Sequence, residues 1–139
     1  MKYAVAYYTR SGNTKKVAEA IAEVLGVTAM DISLELPKDI DVLFLGSSLY
    51  AFTYDPNVEE FIKKNAENVK TIVSFSTSAS GKSTARFVKE TAESCGIKFY
   101  KQSFKCYGKF LFTNLNRPNE KDLEAAREFA KNVRADLEK

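Results

Sequence analysis

YYTRSGNTKKVAEAI, residues 7–21, decides how this chain is read. Just before it, KYAVAYY (residues 2–8) is nearly all apolar or aromatic, as in a buried strand. From Thr14 the period changes: Val17, Ala18, Ile21, Ala22 and Leu25 form one helical face, and Gly26 stops the helix. Between the two lies TRSGNT, residues 9–14. A strand end that runs into a helix N-terminus presents free backbone N–H groups and the positive end of the helix dipole, which suits an anion. Gly12 allows a tight turn and a close backbone approach. Thr9, Ser11 and Thr14 add hydroxyls and Asn13 an amide, a donor set that can satisfy a phosphate without a paired lysine. The competing reading is a plain helix cap by Ser11 or Asn13.

Outward from this junction, strands and helices alternate. VTAMDIS reads as a second strand and DVLFLGSS as a buried third. A helix follows with Asp55 as N-cap, Pro56 at its first position, and Val58, Phe61, Ile62 and Ala66 as its apolar stripe. KTIVSFST is a fourth strand, KSTARFVKETAESCG a third helix and IKFYKQSFKCYG a half-exposed edge strand. KFLFTNLNRP is irregular, and Asn119 caps a last helix with Leu123, Ala126, Ala130, Val133 and Leu137 facing inward. The pattern predicts one α/β domain over residues 1–139: a three-layer, doubly wound sandwich with a five-stranded parallel sheet of order 2-1-3-4-5. Ligands in such sheets bind beyond the carboxyl ends of the strands, at the switch point. TRSGNT, SSLYAFTYD and STSASGK should therefore converge on one site.

Composition narrows the chemistry. There are 139 residues, 45% hydrophobic and 28% charged, as in an ordinary globular protein. No apolar run approaches the roughly 20 residues of a membrane span. The N-terminal apolar run enters the loop directly and reads as a strand rather than a signal peptide, so a cytoplasmic location is expected. The chain has no histidine and two cysteines, Cys95 and Cys106, eleven positions apart, which excludes a histidine triad and argues against zinc. Both thiols are expected to be buried and inert. The net charge is +3 with lysines spread along the helices, which gives no nucleic-acid footprint.

SASGKST, residues 78–84, also looks like a phosphate loop. A Walker loop needs glycine where Ser76 stands, and it should follow the first strand. The simpler reading has Ser78 or Ser80 capping the helix, Gly81 turning the chain and Lys82 in solvent. A receiver domain shares the topology but needs acidic residues after strands one and three, where this chain has TRSG and GSSL.

TRSGNT closing the first strand resembles the flavodoxin phosphate loop, (S/T)-x-(S/T)-G-x-T. The stretch DIDVLFLGSSLYAFTYDPNVEEFI is similar to the flavodoxin segment in which a GS-x-x-aromatic loop precedes the next helix. The likeness covers the whole chain in element order. It implies FMN, with Thr9, Arg10, Ser11, Gly12, Asn13 and Thr14 at the phosphate. Ser48, Tyr50, Ala51 and Phe52 would fall on the second loop, and Thr77, Ser78, Ala79 and Gly81 on the third. Tyr50 stands where the family carries an aromatic near the flavin, and Phe52 and Tyr54 are nearby alternatives. The third loop carries no aromatic, where flavodoxins often have a second one. The positive charge also departs from the acidic electron carriers of the family.

The expected function is FMN-binding electron transfer, with no catalytic side chain and no metal. Asp55 is the one carboxylate expected close to the ring, whereas Arg10 and Lys82 are cationic, which points to a less negative second potential than in an acidic flavodoxin. The positive net charge points to an acidic redox partner, with the protein itself a monomer. Two other readings stand beside it. One is a flavodoxin-like FMN-dependent oxidoreductase acting on a quinone or porphyrinogen, motivated by Phe110, Leu111 and Phe112 between Lys109 and Arg117. That trio is expected instead to pack under the last helix. The other is a cofactor-free interaction module.

Overall fold

In the computed structural model, residues 1–50, 53–110 and 113–139 are described, Tyr50 and Thr53 by their backbone alone. Strand β1 (Tyr3–Tyr7) leads to helix α1 (Asn13–Leu25), short strand β2 (Ala29–Asp31) and long strand β3 (Ile40–Tyr50). Then come β4 (Thr53–Tyr54), α2 (Pro56–Lys64), β5 (Val69–Ser78), α3 (Ala85–Ser94), β6 (Lys98–Phe99), β7 (Phe104–Tyr107) and α4 (Glu120–Leu137). The sheet runs β2-β1-β3-β5-β6, with β7 also on β5 and β4 on β3. Every pairing is parallel except β3–β4. This is the expected doubly wound order of long strands.

Alternation along the central strands sorts the core into two layers. Ala4, Ala6, Leu43, Leu45 and Ile72 meet Val58 and Ile62 of α2 and Val88 and Ala92 of α3. Val5, Val42, Phe44, Val73 and Phe75 meet Val17 and Ile21 of α1 and Ala126, Ala130 and Val133 of α4. The helix stripes read from periodicity are the ones that pack.

Several boundaries differ from the sequence reading. The third strand does not stop at its serines; β3 continues to Tyr50 and pairs antiparallel with β4, Leu49 opposite Tyr54. The expected edge strand is two pieces: Lys98 and Phe99 pair with Thr71 and Ile72, whereas Phe104–Tyr107 pair with Phe75–Ser78. Neither Ser78 nor Ser80 caps α3. Its N-cap is Thr84, because the Ser78 hydroxyl donates to the Lys82 carbonyl at 2.8 Å and both serines are spent within the loop. Asp55 caps α2 through the Asn57 N–H, and Asn119 caps α4 in a reciprocal box with Asp122, both as read. Cys106 is buried, and burial pushes its thiol up to about 12; Cys95 is only partly buried.

Candidate functional site

A cavity of about 600 Å³ opens at the carboxyl ends of β1, β3 and β5. Its walls come from four segments: Arg10, Ser11 and Asn13; Ser48 and Leu49; Thr77 to Ser80; and Gly108, Lys109 and Phe110. Arg10, Ser11, Asn13, Ser48, Thr77, Ser78 and Ala79 among the residues singled out from sequence thus line one space. Thr9, Gly12, Thr14 and Gly81 stand just behind or beside it. The Tyr50 side chain, Ala51 and Phe52 lie outside the described residues.

The first wall is an open helix end. The N-cap of α1 is Gly12, at φ 88°, and no side chain caps the helix. Neither Ser11 nor Asn13 plays the capping role weighed above. The Thr9 hydroxyl accepts from the Gly12 N–H at 2.9 Å, which closes the turn before the helix; among the described residues, no side chain caps the first amides of α1. A left-handed residue here is what lets the chain turn from β1 into α1 within so few positions.

Beneath the cavity, three hydroxyls lock the loops together. Thr14 Oγ1 lies 2.7 Å from Ser48 Oγ and 2.9 Å from Thr77 Oγ1, and Ser48 and Thr77 are 3.2 Å apart. All three residues are buried, Thr14 completely. The spacing of small polar residues at the ends of three strands thus builds a floor joining α1, β3 and β5.

The fourth wall was not foreseen. Asn13 Nδ2 donates to the Lys109 carbonyl at 2.9 Å, and a Cβ on Gly108 would stand 2.8 Å from that amide nitrogen. The Gly108 N–H donates to the Ser78 carbonyl at 3.0 Å, and Asn114 Nδ2 to the Ala79 carbonyl at 3.0 Å. The one sequence signal was the apolar run beginning at Phe110. That ring is 53% exposed rather than packed under α4; Leu111 and Phe112 lie outside the described residues.

Among the described residues, the lining carries two cations, Arg10 and Lys109, and no carboxylate. Asp55, read as the acidic group nearest the ring, instead meets Arg10 at 2.6 Å. Burial works to raise its pKa, but the Asn57 N–H and the Arg10 guanidinium outweigh that and hold it below the usual carboxylate range. Among the described residues, no cluster of three His, Cys, Asp or Glu is placed to hold a metal.

Residues 4–117 match the model of the flavodoxin domain. The chain belongs to the flavodoxin family. A flavin is the cofactor that membership implies. This flavodoxin-like chain is 29% identical to an uncharacterized protein of Methanocaldococcus jannaschii over 134 residues, 87% of this chain and 89% of that protein. Solved structures share the fold. A flavodoxin from the domain Archaea superposes with a TM-score of 0.80 at 20% identity, covering 100% of both chains. Flavodoxin 1 from Bacillus cereus gives 0.70 at 17% identity, over 94% of this chain and 95% of that one. Rubredoxin oxygen:oxidoreductase from Desulfovibrio gigas gives 0.76 at 20% identity, with 99% of this chain matched to 36% of that one. Among the described residues, no helix is long and apolar enough to cross a membrane.

Proposed function

We propose that this flavodoxin-like protein binds FMN and carries electrons between partner proteins in the cytoplasm, working as a monomer. The observation that carries the reading is the uncapped start of α1 opening into a cavity of about 600 Å³. That volume lies in the range that holds cofactors. The donor set fits a phosphate: the first amides of α1 and the Ser11 hydroxyl, with Arg10 close by. Asn13 supports the site indirectly, since its side chain is committed to Lys109. Ser48, Thr77, Ser78 and Ala79 would bound the ring system, with Tyr50 the aromatic expected from the β3 side.

When bound, the flavin accepts and donates one or two electrons, and the protein tunes that chemistry. This chain's part is to orient the ring, exclude water from one side and set the local charge. Lys109 favours a negatively charged ring and Asp55 is neutralised by Arg10, so a less negative potential than in an acidic flavodoxin is expected. The cationic rim suits an acidic redox partner, with association that weakens as salt screens it. Neither the site nor the comparisons favour an oxidoreductase acting on a quinone or porphyrinogen. The test is a visible spectrum of the purified protein after excess FMN and gel filtration. Flavin bands that travel with the protein support the reading; a colourless protein rejects it.

A further inference from the structure

We propose that Phe110, on the segment after β7, supplies the aromatic face that the third loop lacks, and stacks on the ring system of the bound flavin. This rests on the flavin reading above. The third loop, Thr77–Gly81, offers only hydroxyls, a methyl group and backbone. A flat conjugated ligand in a cavity walled that way has no ring to stack on from that side. Phe110 lines the same cavity and is 53% exposed, a large apolar ring at the lip of a polar site.

What makes the ring a built feature is how its backbone is held. Phe110 and Thr113 exchange reciprocal backbone hydrogen bonds of 3.0 and 2.9 Å. The Lys109 N–H donates to the Arg117 carbonyl at 3.0 Å, and the Lys109 carbonyl accepts from Asn13 of the first loop at 2.9 Å. Asn114, at φ 55°, reaches the third loop at Ala79. Arg117 is paired with Asp122 at 2.5 Å and lies 5.1 Å over the Tyr107 ring. The segment is thus tied to the first wall, the third wall and α4, and none of these ties uses the Phe110 side chain. The Phe110 backbone is therefore held at the lip of the cavity, and covering its exposed ring removes apolar area from water. Offset stacking adds to that burial.

The experiment titrates protein freed of flavin with FMN and with riboflavin, following quenching of flavin fluorescence, for the unsubstituted chain, Phe110→Ala, Phe110→Tyr and Ser11→Ala. Phe110→Ala should weaken both ligands alike, on the order of 10- to 100-fold, and leave residual fluorescence in the bound state. Phe110→Tyr should restore affinity and quenching. Ser11→Ala, at the phosphate end, should weaken FMN alone. Because the ring is exposed, the thermal midpoint of Phe110→Ala without flavin should stay within about 2 °C of the unsubstituted chain. Phe110→Ala that matches the unsubstituted chain in affinity and quenching overturns this inference and leaves the flavin reading standing. An unsubstituted chain that binds neither ligand overturns both.

Discussion

Arg10 and Asp55 meet at 2.6 Å, joining the loop after β1 to the cap of α2. The carboxylate has two tasks, since its other oxygen accepts the Asn57 N–H at 2.9 Å. An arginine in the middle of the loop proposed to hold the phosphate is thereby held by a fixed partner. Asp55→Asn keeps a good capping residue and loses the ion pair. Arg10 is well exposed, so the loss in stability should be modest, about 0.5–1 kcal/mol by urea unfolding at pH 7. Asp55→Ala also loses the cap and should cost about 1 kcal/mol more. Equal losses for the two variants would contradict the double role.

Acid should remove part of the stability through two carboxylates. For Asp122, as for Asp55, burial works upward on the pKa, but Arg117 and the Asn119 N–H hold it below the ordinary 3.8. A depressed carboxylate contributes fully above its unfolded pKa, and the contribution disappears as pH falls through the folded one. The stability difference between the unsubstituted chain and Asp122→Asn should therefore be constant from pH 7 to about 5. It should shrink steadily below about 4. A difference that does not change with pH would show that the charge is not what Asp122 contributes.

The hydroxyl floor should resist substitution. Thr14→Val keeps the shape but strands Ser48 and Thr77 with fewer partners in a buried place. The expected cost is about 1–3 kcal/mol, read as a fall of roughly 4–12 °C in the thermal midpoint. An unchanged midpoint would mean that the two remaining hydroxyls satisfy each other.

Gly46 has no room for a side chain. A Cβ there would stand 2.2 Å from Phe75 Cε2 and 2.8 Å from Thr14 Cγ2. Phe75 is fully buried and cannot swing away without opening the core. Gly46→Ala should cost about 3 kcal/mol in chemical denaturation and loosen the site through Thr14. A cost under about 1 kcal/mol would show that this core relaxes easily.

Most of the fold was legible because its signals are local. Apolar runs gave β1, β3 and β5, the helical stripes gave the packed faces, and Asp55–Pro56 and Asn119 marked two helix starts. The misses share a cause: they depend on what a segment meets in space. Leu49 and Tyr50 look like a loop, yet they continue β3 because β4 folds back alongside, with Leu49 opposite Tyr54. Tyr100 to Ser103 interrupt the edge strand, and nothing in their local composition says so. The cavity's first three walls followed from strand ends and one motif. The fourth has no motif; Gly108 matters only because Asn13, 95 positions earlier, comes to rest against it.

The measurement that bears most directly on the central claim is calorimetric titration of flavin-free protein with FMN and, separately, with riboflavin. The two differ by the phosphate assigned to residues 9–14. Two or more hydrogen bonds to a charged phosphate correspond to about 3 kcal/mol or more, so FMN should bind at least roughly 100-fold more tightly. Equal affinities would mean that TRSGNT does not hold the phosphate, and the account of the site would fail at its starting point.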